Sequence, residues 1–110
     1  MLNFIDQITA TEYSNRTVAT LDMGGLEIEA VVFYNGNVKY LFTLVCEETG
    51  HRISETSAED NVKDSLNSLF ERARAHSAGP VRFLWGQRDL NRVFMTSTQV
   101  LWAADNNGLY

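Results

Sequence analysis

The stretch LEIEAVVFYNGNVKYLFTLVCE, residues 26–47, decides how the rest of this chain is read. Leu26, Ile28, Ala30 and Val32 alternate with Glu27, Glu29, Val31 and Phe33, and Val38, Tyr40, Phe42, Leu44 and Cys46 then resume the apolar beat. A period of two is the signature of a strand, because successive side chains leave opposite faces of a pleated backbone. Between the two runs, Asn35-Gly36 is the strongest short-range hairpin signal, since a type I′ turn needs positive φ at both central positions. One face of this hairpin is apolar along its whole length and is expected to be core. The other opens on Glu27 and Glu29 before giving way to Val31 and Phe33, with Leu41 and Val45 opposite, so it is expected to be wet at one end and covered at the other.

The pattern extends in both directions. Residues 17–23 form another run rich in β-branched residues, separated from residue 26 by Gly24-Gly25, and Thr49-Gly50 turns the chain into a short strand over 51–54. Upstream, Leu2, Phe4, Ile5 and Ile8 are spaced like one face of a short N-terminal helix that ends near the polar run 9–15. Downstream, Val62, Leu66, Leu69, Phe70 and Ala73 make a single stripe at helical spacing, predicting a long amphipathic helix over 58–76. Ser57 with Asp60 resembles a capping box, Glu59 and Asp60 meet the positive end of the helix dipole, and Gly79-Pro80 stops the helix. Residues 81–85 and 91–102, around a turn at Gly86, read as two late strands, although 100–104 has little β character and admits a short helix. The expected architecture is α+β in a single domain spanning 1–110: an antiparallel meander, one long helix on its apolar face, a short N-terminal helix and two late strands.

A chain of 110 residues is long enough to bury one core without a metal or disulfide staple. Hydrophobic residues at 45% and charged residues at 21% place it among globular domains rather than disordered chains. Cys46 is the single cysteine, which excludes an internal disulfide and fits a reducing compartment. The first residues meet Asp6 before any positive charge, so no secretory signal is expected. No apolar run reaches the ~18 residues of a membrane span, and the expected location is cytoplasmic.

Charge is sorted along the sequence. Residues 1–71 hold twelve acidic side chains against four basic ones, a net of −8, whereas residues 72–110 hold five arginines against two acids, a net of +3. Sorting of this kind steers encounters and selects partners more than it stabilises a fold. Two candidate surfaces follow. The acidic one comprises Glu47, Glu48, Glu55, Glu59, Asp60 and Asp64. The basic and aromatic one comprises Arg72, Arg74, Arg82, Arg88, Arg92 and Trp102.

Motifs for phosphate loops, nucleophile elbows, paired metal cysteines and calcium loops are absent from the sequence. Cys46, Glu48 and His51 are the one constellation with catalytic shape: with Thr49-Gly50 as a two-residue turn, Glu48 faces His51 and Cys46 lies diagonally, roughly 7 Å away between α-carbons. Cys46 also continues the apolar face, and core is the simpler role for it. The expectation is a non-enzymatic protein-binding module without a cofactor or metal, a small acidic inhibitor or adaptor. Its partner is expected to be another protein with a basic or nucleic-acid-handling surface, with homo-oligomerisation as a further option. Binding of single-stranded nucleic acid through the segment 72–92, which interleaves arginine with Phe83 and Trp85, ranks second, and a small cysteine-dependent enzyme third.

Overall fold

Strands joined by short turns return antiparallel to their sequence neighbours, and an alternating pattern then gives the growing sheet one dry and one wet face. The computed structural model describes residues 7–46, 48–76, 85 and 89–106. It contains β1 (Thr9–Glu12), β2 (Arg16–Asp22), β3 (Leu26–Phe33), β4 (Val38–Val45) and β5 (Arg52–Ala58), hydrogen-bonded in sequence order as one antiparallel sheet. A 3₁₀ turn, Glu59–Asn61, leads into α1 (Val62–His76), and α2 (Leu90–Asp105) follows. The fold is α+β. α1 lies over β4 and β5, while α2 lies over β2 and β3 and reaches β1, so both helices cover the same sheet face.

That face is the apolar one. Ala19 and Leu21 of β2, Leu26, Ile28 and Ala30 of β3, Tyr40, Phe42 and Leu44 of β4, and Ile53 of β5 form one core with the helices. The stripe expected on α1 is the stripe it buries: Val62, Leu66, Leu69, Phe70 and Ala73 are all inside. At the centre, the Tyr40 and Phe42 rings lie 5.5 Å apart and nearly parallel, and the Tyr40 hydroxyl donates to the Ser97 carbonyl of α2 at 3.4 Å.

The turns differ from the expected ones in an instructive way. Register pairs Val32 with Val38, and the Gly36 amide donates to Phe33 O while Phe33 N donates to Asn37 O, which makes a three-residue loop in place of a two-residue type I′ turn at Asn35-Gly36. Gly36, at φ 95°, takes the left-handed position that such loops require. Positive φ at both central positions occurs instead at Gly24 (76°) and Gly25 (96°), where Met23 N donates to Leu26 O across a two-residue hairpin.

The late strand expected over 91–102 is a helix. The short helix admitted over 100–104 is the end of it, and Val93, Thr96, Ser97, Val100, Ala103 and Ala104 are the buried positions, at helical spacing although Val93, Thr96 and Thr98 are β-branched. Two of them are hydroxyls that close on their own helix: Thr96 donates to Arg92 O and Ser97 to Val93 O, so polar residues enter the core without an unmet bond. Residues 81–84 of the other late strand lie outside the described residues. Of the expected N-terminal helix only Gln7 and Ile8 are described, and Gln7 is in 3₁₀ conformation. Residues 1–6 lie outside the described residues, Ile8 packs on the core, and the polar run that follows contains strand β1, paired to β2 through Tyr13 N and Arg16 O. An edge strand that is mostly exposed has no apolar alternation by which to announce itself. Finally, Ser57 and Ala58 belong to β5. Ser57 Oγ donates to Ala58 O, so no capping box forms, and α1 begins at Val62.

Two outcomes follow. Gly24→Ala forces a side chain into a left-handed backbone and should cost about 1 kcal/mol in a denaturant melt, although the new Cβ has open space. Burial, reinforced by the Glu59 carboxylate, pushes the Tyr40 phenol well above its usual pKa of 10.0. The folded state therefore holds that proton more tightly than the unfolded chain does, so this contribution is complete below pH about 10 and is lost as pH rises beyond it. Melts across that window should show less alkaline destabilisation in Tyr40→Phe than in the parent chain.

Candidate functional site

Where β5 ends, the sequence places three acids in quick succession. Glu59 and Asp60 occupy the 3₁₀ turn and Asp64 the first turn of α1, a placement favoured by the positive end of the helix dipole. Beside them, α2 contributes Phe94, and the two elements enclose a shallow depression of about 440 Å³ whose walls include all three carboxylates. Lys63 Nζ lies 4.8 Å from the centre of the Phe94 ring, so the one cation in this wall is held over an aromatic face.

Glu59 also forms part of the wall of a second depression of about 340 Å³. Its floor is Val32, Val38 and Leu101, and its rim is Trp102 and Asp105. Trp102 is 47% exposed. Met95, 61% exposed, stands seven residues before Trp102 on the outer face of α2, with Asp105 one turn beyond. An indole face flanked by carboxylates, over an apolar floor, suits a cationic side chain with an aliphatic stem. This is the part of the described surface where acidic and aromatic groups converge.

The residues singled out from sequence fall in several places. Glu59, Asp60 and Asp64 are together at this end. Trp102, grouped with the arginines in the sequence reading, stands beside Glu59 instead. Glu48 is exposed in the loop between β4 and β5, and Glu55, half-buried on β5, pairs with Arg72 of α1. Arg72 also donates to Ser54 O on the outer edge of β5, so this guanidinium crosses the boundary between the acidic and basic parts of the chain. Arg74 is exposed on α1. Arg92, in the first turn of α2, lies 5.2 Å from the Trp85 ring centre, and the Trp85 indole N–H donates to Gly24 O. Arg72 and Arg92 thus engage different neighbours. Glu47, Arg82 and Arg88 lie outside the described residues. Asp105 was missed, and the signal for it was helical spacing from Trp102, invisible while the segment was read as a strand.

The Cys46, Glu48 and His51 constellation takes a different geometry from the expected one. Cys46 N donates to His51 O at 2.8 Å and Gly50 N to Cys46 O, so Cys46 and His51 sit directly opposite each other across a four-residue loop, with Glu48 inside that loop. Cys46 is 1% exposed. Among the described residues, no group of three or more His, Cys, Asp or Glu side chains could hold a metal ion, and no helix is long and apolar enough to cross a membrane. No protein-family model, curated protein or solved structure matches the chain.

A buried thiol is shielded from reagents by packing. Cys46 should therefore resist a thiol-specific reagent in the native state at pH about 8 and react at the rate of an unfolded peptide only once denaturant opens the core. Rapid labelling of the folded chain would show that the site opens locally.

Proposed function

We propose that this domain is a non-enzymatic protein-binding module, a cytoplasmic inhibitor or adaptor that engages a basic surface of another protein through its acidic end. The observation that carries this reading is the exposed Trp102 set over Val32, Val38 and Leu101 and flanked by Glu59 and Asp105. Tryptophan anchors interfaces because it combines a large apolar area with few rotors, and the surrounding carboxylates select a cationic partner. Asp60 and Asp64 widen the anionic field beyond the anchor, which favours rapid, salt-sensitive encounter. Of the two aromatic residues expected to help bind nucleic acid, Phe83 lies outside the described residues and Trp85 is engaged within the fold by Gly24 and Arg92, so the acidic end is the better supported surface.

A defined arginine-rich peptide titrated against the intact domain provides the test. Binding should weaken as salt rises, and Glu59→Gln combined with Asp105→Asn should lower affinity about tenfold, the equivalent of about 1.4 kcal/mol. Trp102→Ala should lower it by a comparable factor while far-ultraviolet circular dichroism is unchanged. Peptide binding that ignores all three substitutions, or a single-stranded oligonucleotide that displaces the peptide, would overturn the reading.

A further inference from the structure

The sheet has a second face. By the strand period and the observed register it carries Thr9 and Thr11 of β1, Arg16, Val18, Thr20 and Asp22 of β2, and Glu27, Glu29, Val31 and Phe33 of β3. Lys39, Leu41, Thr43 and Val45 of β4 and Arg52, Ser54 and Thr56 of β5 complete it. Both described helices lie on the opposite face, and no described element is laid over this one. Val18, Val31, Phe33, Leu41 and Val45 are nonetheless only half-buried there.

Charge on this face is divided by position along the strands. Asp22, Glu27 and Glu29 gather at the end nearer the Gly24-Gly25 turn, where with Thr20, Leu41 and Thr43 they line a concavity of about 300 Å³. Arg52 pairs with Glu27, which leaves this end two negative charges in excess. At the other end stand Arg16, stacked on Tyr13 at 4.4 Å from its ring centre, and Lys39, paired in register with Val31. They supply two positive charges. Val18 and Val31 share a row with Lys39, and Leu41 shares the next row with Glu29, so the apolar residues sit in the two middle rows of the face.

We propose that this face binds a second copy of the same chain, face to face, about a two-fold axis that runs in the plane between the sheets and across the strands. Placed between the Glu29 and Val31 rows, that axis lays the anionic end of one copy over the cationic end of the other, with Val31 of each copy beside Leu41 of its partner and Lys39 beside the partner's Glu29. A two-fold axis along the strands would set Glu27 against Glu27, so the charge pattern selects one orientation of the two. The size is adequate. Five strands about 4.8 Å apart, up to eight residues long at roughly 3.4 Å each, present about 600 Å² per copy, and a pair hides about 1,200 Å², the lower bound for specific interfaces. Sheets also pack face to face in this manner within β-sandwiches, with strands close to aligned. Trp102 and the acidic end lie on the helix side, so a dimer leaves the surface of the proposed function open.

Sedimentation of the full chain over a range of concentrations tests this. The expected result is a reversible monomer–dimer equilibrium in the micromolar range that Val31→Glu, which sets a carboxylate over the partner's Glu29, abolishes and Trp102→Ala leaves unchanged. The exposed Lys39 provides a second variant that is safe for folding. Lys39→Glu should weaken the dimer about tenfold, and adding Glu29→Lys in the same chain should restore most of the loss, because the two positions approach across the axis. A chain that stays monomeric at the highest soluble concentration, a dimer indifferent to both Val31→Glu and Lys39→Glu, or a double swap no tighter than Lys39→Glu alone overturns the proposal.

Discussion

Burial of one sheet face under two helices governs the architecture, and Tyr40 is where that burial must also satisfy a polar group. A phenol placed at the centre of a sheet, stacked on Phe42 and removed from water, must find an acceptor, and the Ser97 carbonyl supplies it. For that carbonyl to come within reach, α2 has to lie close to the strands. The buried positions of its inward face are accordingly Val93, Thr96, Ser97, Val100, Ala103 and Ala104, none larger than valine, with Leu90, Phe94 and Leu101 packed partly exposed against the same core. Where α1 meets the sheet the opposite solution appears. Leu66, Leu69 and Phe70 fill the space over β4 and β5 with bulk, and only small positions such as Ala73 stay close to the backbone. The two helices therefore cover one sheet by different means, and each composition suits the strand it covers.

Covering one face of a sheet leaves the other to be managed. Here the far face mixes half-buried aliphatic residues with charges of both signs, and the signs are separated by position along the strands. A face that alternated charge evenly would be content with water. One that gathers carboxylates toward one end and cations toward the other, with Val18, Val31 and Leu41 among them in the middle rows, offers opposite charge to a reversed copy. The outer edge of β5 is treated differently. Arg72 occupies the Ser54 carbonyl and Ser57 Oγ the Ala58 carbonyl, so two outward backbone acceptors on that edge are already engaged, which discourages pairing with another strand.

Charge sorted along a sequence need not be sorted in space. Arg72 comes from the basic part of the chain and Glu55 from the acidic part, yet α1 folds back along β5 and the two meet. Trp102 is the converse case: it follows the arginines in sequence but stands among Glu59 and Asp105 because α2 runs toward the end of the sheet where α1 begins. Half of the candidate acidic site, Glu59, Asp60 and Asp64, was legible because those residues are sequence neighbours at one helix start. The other half was not, because Trp102 and Asp105 join them only through packing of two elements thirty or more residues apart.

The sequence by itself determined four of the five strands, β2 to β5, and the first helix. Alternation in residues 26–47 and the stripe from Val62 to Ala73 are local periodicities, and burial of one face is the physical demand that each expresses. It did not determine the second helix, since Val93, Thr96, Thr98 and Val100 favour a strand by propensity. Tertiary packing overrode that preference by burying a face of small residues whose hydroxyls bond within the helix. Turn geometry was divided in the same way: glycine marked the bends after β2, β3 and β4, though not the one at 13–15, and cross-strand register decided where a glycine pair took positive φ at both positions. Which charges meet, and which are left to face a partner, was decided by tertiary structure alone, because Coulomb attraction acts across space and takes no account of order along the chain.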